Sequence, residues 1–372
     1  MSLAEVAAPA RPASAPRAEV GPIGRLGRWA AAHVGLVALA WVVVAVGLGV
    51  FAPRVERVLS GAGWEASGSE SVAARSFVQE SFGGRSSQAL MVVLYSDRLT
   101  AADPAFGAAV GRVARILRAS PEVASVVPPR RGSSISEDGH TAIVTAGARG
   151  DPAEMVSVAD DLKSKLRAAG SADVQVALTG ASGMWSDFNA ANRSAMVRSE
   201  LFSWPVTLAI LVVAFGSLVA AGLPLMLTIV GLVASAGLLA LLTYGFEISI
   251  WAMNFALMFA LALGIDYALF VVHRFRGALF GSGLEVRDAV AVAMDTAGKA
   301  VLFSGVTVLI SLSAVMLVPS PAFRSMALGI MLSVVFVLLA TLTLLPAVLA
   351  KLGPKVDRLA LGWVHSGEHR SP

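Results

Sequence analysis

Five long apolar runs crowd the second half of this chain, at 201–220, 223–244, 250–272, 300–318 and 326–350. A sixth, WAAAHVGLVALAWVVVAVGLGVFA, occupies Trp29 to Ala52. At helical rise each reaches across roughly 30 Å of hydrocarbon. No water reaches amides there, so runs of this kind fold as helices. Composition agrees, with 56% hydrophobic residues, 15% charged residues and a mean hydropathy of +0.73. Soluble domains carry about a quarter charged. The chain has no cysteine, which excludes disulfides, thiolate metal sites and cysteine nucleophiles. Its formal net charge of +4 is modest and gives no sign of nucleic-acid binding.

Residues 1–24 are rich in Ala, Pro and Arg without apolar periodicity, and are expected to form a disordered tail. A first transmembrane helix is expected over 25–53. Its apolar run is too long for a signal-peptide core, and VFAP is a poor cleavage site. From 54 to 199 the character is that of a soluble α+β domain. Strands are expected over 88–96, 122–129, 141–148 and 174–181, with the first buried, and helices over 103–120 and 151–170. Both helices open on Asp-Pro, making Asp103 and Asp151 the expected N-caps. Two β-α-β passages in one compact stretch suggest a split, ferredoxin-like arrangement. A third helix, 182–200, leads into the apolar block. The domain holds no nucleophile elbow, metal cluster or phosphate loop, so an enzyme is not expected. His140, in the Gly-flanked turn SEDGHTA, is expected to be exposed.

Basic residues set the orientation. Arg11, Arg17, Arg25 and Arg28 precede the first span; Arg274, Arg276, Arg287 and Lys299 follow the fourth; Lys351, Lys355 and Arg358 follow the sixth. If every run crosses, all three groups share one side, which is then the cytoplasm. Both termini, including the tail 351–372, fall there, and 54–199 faces outward. Residues 283–298 have an amphipathic pattern and are expected to lie on the cytoplasmic surface.

Within the spans, only Asp266 is an ionisable group well inside an apolar run; Glu247 and Arg324 sit in short loops. A charged side chain at the bilayer centre costs about 2.5–3.5 kcal/mol on insertion scales, and such groups are functional by default. Asp266 lies about 10 Å of helical rise from the His273/Arg274 end. A carboxyl that holds a proton when dry and gives it up when wetted or paired suits a proton relay. A charge moved through 100 mV yields about 2.3 kcal/mol, and each pH unit adds roughly 1.4. The bland reading is a carboxyl that only hydrogen-bonds a neighbouring helix. Tyr267 points about 100° away and reaches a relay only through a nearby acid or water. Gly264 permits close helix packing. Ser304, Thr307 and Ser311 form one polar stripe, which suits either a path of waters beside Asp266 or ordinary membrane-helix packing.

The order of one span, a large outward α+β domain and five more spans resembles one half of a resistance–nodulation–division (RND) transporter. GIDYALFVVHRFR is similar to the fourth-span signature of its MmpL/MMPL branch, TAGKAVLFSGVTVLISLSAVML to the fifth span, and VVAFGSLVAAGLPL to the turn between the second and third. The resemblance covers roughly residues 25–355. It implies an α-helical membrane protein of six transmembrane helices, with 54–199 as a ferredoxin-like porter domain and 200–350 carrying five spans. It also implies export of lipids or other hydrophobic molecules across the inner membrane of an actinobacterium or relative. The proton gradient would drive it, with no cofactor and no metal.

In that family an Asp-Tyr pair of the fourth span works with another in the tenth. Only the first carries over, to Asp266 and Tyr267. The chain ends after one half, and HRFRG stands where SRFRE-type endings are usual. The expectation is therefore a truncated chain, a second polypeptide supplying the other half, or self-association. The alternative function is a non-transporting membrane module that acts as an assembly or binding partner. Sterol-sensing and protein-export relatives form a third, less favoured reading.

Overall fold

The computed structural model describes residues 20–53, 66, 68–82, 90–246 and 248–358; residues 1–19, Glu247 and 359–372 lie outside them. The span expected over 25–53 is two helices, α1 (Pro22–Ala32) and α2 (Val34–Gly49), bent by 91°. The bend falls at His33, whose φ of −116° and ψ of 42° leave the helical region. Composition gives the reason. On α1, Gly24, Gly27, Ala30 and Ala31 are buried along one side, and Arg25 is exposed on the other. On α2 every position is apolar and only Val37 is buried. An amphipathic helix lies across the end of an apolar one. Residues 22–24, expected in a disordered tail, form the first turn of α1, where Pro22 starts the helix without wasting an amide.

After α3 (Glu70–Phe82), a four-stranded antiparallel sheet is built from β1 (Leu90–Tyr95), β2 (Val123–Val127), β3 (Thr141–Ala148) and β4 (Gln175–Thr179). Helix α4 (Pro104–Arg118) joins β1 to β2, and α5 (Pro152–Ala168) joins β3 to β4. The strand order is β2-β3-β1-β4, with Leu90 opposite Ala146 and Tyr95 opposite both Thr141 and Gln175. The first strand, expected to be buried, is buried along one face. Leu90, Val92 and Leu94 are fully buried and alternate with more open neighbours, because the helices cover one face only. Phe106, Val113 and Leu117 of α4 and Met155 and Leu166 of α5 fill that side.

The two Asp-Pro starts behave differently. Asp151 accepts a hydrogen bond from the Glu154 amide at 2.8 Å and caps α5. Asp103 does not cap α4 with its side chain; it turns back to accept from the Thr100 amide at 2.7 Å and the Thr100 hydroxyl at 2.9 Å. His140 is half-buried rather than exposed, its Nδ1 lying 3.0 Å from the Ser96 carbonyl and 2.9 Å from that of Leu99.

The sheet runs directly into α6 (Gly180–Phe215), a helix of 36 residues that begins on β4 and ends among the spans. Gly216, at φ 65°, ends it in the left-handed region, and Ser217 accepts from the Ala220 amide to start α7 (Leu218–Leu242). This turn precedes the one expected at 221–222. The remaining elements are α8 (Trp251–Arg276), α9 (Val286–Ala293), α10 (Lys299–Val315), α11 (Pro321–Leu339) and α12 (Leu345–Leu352). Arg324, expected in a loop, lies in the first turn of α11. One-turn π segments at Gly277–Gly281, Met294–Gly298 and Ala340–Leu344 follow α8, α9 and α11. The amphipathic stretch expected over 283–298 thus passes through a π turn straight into α10. Among the described residues five helices are long and apolar enough to cross a membrane, and the bent α1–α2 pair makes a sixth if it is one span.

Three helices, α7, α8 and α11, pack on one another, with α2 against α7 and α10 against α11. The most apolar part of the stretch Pro321–Asp357, which α11 opens, is 61% buried and that of α6 only 6%, so α6 is the peripheral rod of the bundle. Small residues let the central helices close: a Cβ on Gly329 would lie 2.4 Å from the Ala252 carbonyl oxygen.

Two outcomes follow from this packing and bonding. Gly329→Ala forces α11 away from α8 and is expected to cost about 1–3 kcal/mol, read as a lower unfolding midpoint in detergent. In the sheet unit, the Thr100 amide holds the Asp103 carboxyl below its usual value, and the Ser136 hydroxyl does so for Asp138. Groups lowered on folding stabilise above the unfolded value, about pH 4, and lose that effect as pH falls below it. Amide exchange in β1 and β3 should therefore speed up between pH 5 and pH 3 beyond the intrinsic rate, and less so in Asp103→Asn.

Candidate functional site

The signature GIDY sits in the second half of α8, where helical geometry sends its residues to different sides. Met258, Ala262, Asp266, Phe270 and His273 recur at intervals of three and four and form one exposed stripe. Ala256, Ala260, Gly264, Ala268 and Val271 form the buried side. Gly264 faces α7 so closely that a Cβ there would lie 2.5 Å from the Thr228 hydroxyl oxygen. Alanine and glycine on one side of α8 thus draw the helix into the bundle, and that burial fixes Asp266 on the open side.

Asp266 is exposed, with apolar Ala262 and Phe270 one turn away on either side along its stripe. Among the described residues it makes no hydrogen bond or ion pair. Tyr267, one residue on, is only 3% exposed and belongs to the central core. Its hydroxyl is buried without a hydrogen bond of ordinary geometry, and the hydroxyl it faces is that of Ser304 on α10. Ser304, Thr307 and Ser311 all lie on exposed positions of α10, and Thr307 donates back to the Phe303 carbonyl at 2.8 Å. The structure therefore brings Tyr267 to Ser304 and Gly264 to Thr228. It joins none of the three α10 hydroxyls to Asp266 by a hydrogen bond.

Some structural partners escape a reading of the sequence. Arg276 stands in the same basic cluster as His273 and Arg274, yet those two are exposed while Arg276 turns inward. Its guanidinium donates to the Phe215 carbonyl at 2.7 Å and pairs with Asp357 at 2.8 Å. Ser217 adds a bond to the Val356 carbonyl at 2.8 Å, so the α6–α7 turn, the end of α8 and the residues after α12 are tied together. Arg276 lies four residues after buried Val272, and that periodicity is the signal for its direction. Thr228 and the buried Ser235–Ser333 bond, 3.2 Å between α7 and α11, carry no such signal: single hydroxyls in apolar runs look alike. Among the described residues no group of three or more His, Asp or Glu is arranged to hold a metal ion.

An exposed carboxylate on the apolar face of a span is costly to insert, and nothing in α8 offsets that cost. Asp266→Leu is thus expected to improve insertion of this span by about 3 kcal/mol, measured as apparent insertion free energy in a glycosylation-reporter assay.

With this geometry in hand, comparison with known proteins identifies the chain's relatives. The model of the MMPL family matches residues 63–370. The chain is 30% identical over 334 residues to a protein of Mycobacterium leprae named as the probable transport protein MmpL11, covering 86% of this chain and 32% of that protein. It is 30% identical to the mycolic acid-containing lipids exporter MmpL11 of Mycolicibacterium smegmatis, covering 84% of this chain and 34% of that protein. It is 31% identical to the heme uptake protein MmpL11 of Mycobacterium tuberculosis, covering 85% of this chain and 33% of that protein. The chain spans about a third of the length of these relatives. Together with several apolar helices long enough to cross a bilayer, these matches make it a multi-pass membrane protein. The chain belongs to the MMPL family.

Proposed function

We propose that this chain is one half of a transporter that exports lipids or other hydrophobic molecules, driven by the proton gradient and without a further cofactor. Relatives named as lipid exporters and transport proteins support a transporter role. The observation that carries the proton coupling is Asp266: a carboxylate in an apolar span, exposed, without a partner in the described residues, beside a buried tyrosine hydroxyl. An aspartate that only tied helices together would be bonded to one. Asp266 instead takes up and releases the proton, and Tyr267, with Ser304 at its hydroxyl, supports the charge change from the core side. The α10 hydroxyls at 304, 307 and 311 line the approach of water to that face.

In this reading α2 counts as the first of six spans. The βαββαβ unit is a ferredoxin-like porter domain, and 54–199 lies outside the inner membrane with both termini in the cytoplasm. The open face of α8 is covered by a second RND half, supplied by more chain, another polypeptide or a second copy. A covering partner gives Asp266 the polar neighbour that lipid cannot. A non-transporting module remains the second reading, favoured by the same unpartnered carboxylate if no such half assembles.

Asp266→Asn tests the proposal. In vesicles or cells with a verified pH gradient, substrate efflux should fall at least about tenfold, as expected for loss of an essential proton carrier, while membrane insertion is kept. Unchanged gradient-driven efflux in that variant removes Asp266 from the coupling.

A further inference from the structure

The 91° bend at His33 lays α1 across the end of the apolar α2, in the plane of the bilayer if α2 crosses it. Its inner side is held by protein. Cβ atoms on Gly24 and Gly27 would lie 2.9 Å from the Ala291 carbonyl oxygen and 2.4 Å from the Met294 side chain. Arg28 reaches Asp288 at 3.1 Å, fastening α1 to α9. Among the described residues the outer side is uncovered: Arg25, Trp29 and His33 follow one another at intervals of four and are all exposed. Trp29 and His33 stack with ring centres 5.1 Å apart, and the His33 Nδ1 lies 2.9 Å from the Trp29 carbonyl oxygen. An arginine and an indole on one face of an in-plane helix suit the headgroup level, where one end of each side chain is wet and the other apolar.

The surroundings of α1 carry a matching charge. At this end of the bundle the described residues 20–33, 273–299 and 351–358 contain four acidic residues against nine arginines and lysines. Three of the four acids are already engaged, Asp288 with Arg28, Asp295 with Lys299 and Asp357 with Arg276. Arg25, Arg274, Arg287, Lys351, Lys355 and Arg358 stay exposed and without an ion pair among the described residues. The acids serve to build the bundle, and the surplus of cations is turned outward.

We infer that the outer face of α1, Arg25-Trp29-His33, together with this cationic rim, is seated on anionic lipid headgroups, whose phosphates supply the missing negative charge. Arg25 contacts a phosphate, Trp29 sinks its ring toward the acyl chains, and His33 holds the indole in place by stacking. This seat fixes the level of α2 in the bilayer. It depends on α2 crossing the membrane, not on the proton-coupling role of Asp266 or on which side of the membrane α1 occupies.

The experiment uses the full chain in detergent and in lipid nanodiscs. Native mass spectrometry should show phosphatidylglycerol retained in preference to phosphatidylcholine. Arg25→Gln should lower that preference about fivefold, the factor one surface cation contributes, while Arg25→Lys keeps most of it. Arg131→Gln, which removes an exposed charge from the sheet unit, should leave it unchanged. Millimolar inorganic phosphate should not displace the lipid. Because the chain has no cysteine, Ala32→Cys carries a single label on the exposed side of α1, which should be quenched by headgroup-labelled lipid. Equal retention of the two lipids, a preference untouched by Arg25→Gln, displacement by free phosphate, or a label that reports bulk water would each overturn the inference.

Discussion

Hydrocarbon offers no hydrogen bonds and little driving force for helices to associate, so a bundle inside it holds by close contact. The arrangement of this chain follows from where its smallest residues lie. Gly264 against Thr228 joins α8 to α7, and Gly329 against Ala252 joins α11 to α8. These contacts make a tight trio, on which α2 and α10 lean and beside which α6 stands apart. The same contacts fix the rotation of α8. With its alanine and glycine side turned inward, the carboxylate two residues after Gly264 is turned outward.

That rotation separates what is adjacent in sequence. Asp266 and Tyr267 read as a pair, yet one faces the open side and the other the core. The acid's position inside an apolar span was legible, since no other ionisable group lies so deep. Its surroundings were not, because a residue's face depends on which side of the helix meets neighbours, and small residues occur on several sides. The apolar runs and the alternating pattern of the strands were legible for the opposite reason: each reports a solvent contrast local to its own element. The bend at His33 is not legible in the sequence because Trp29 to Ala32 are apolar enough to continue the span. What distinguishes them is the glycine-alanine stripe that docks α1 on α9, a tertiary feature. Asp103 is the N-cap residue that Asp-Pro marks, but the partner of its carboxylate is not legible, because Thr100 three residues before competes for it and wins.

Polar groups divide their work by location. At the α1 end of the bundle, Arg276 and Asp357 close the chain on itself, and Ser217 adds a backbone contact beside them. In the middle, Ser235 and Ser333 satisfy each other between two helices. Among the described residues of the apolar runs, Asp266 alone bears a charge-capable group without such satisfaction. A fold optimised only for stability would place leucine there, and the carboxylate marks a position where stability is given up.

The 36-residue α6 joins the sheet unit to the bundle without an intervening loop. At 1.5 Å per residue it is a rod of about 54 Å, so each degree of tilt at one end moves the other by about 1 Å. Phe188 on this rod meets Trp251, the first residue of α8, with ring centres 5.6 Å apart. The helix that carries Asp266 therefore begins against this rod near the end where it leaves β4. Pro205 is the one interior position where the rod lacks a backbone amide to stiffen it. A tilt of this rod is thus felt first at the start of α8, through a contact that lies close to the sheet unit.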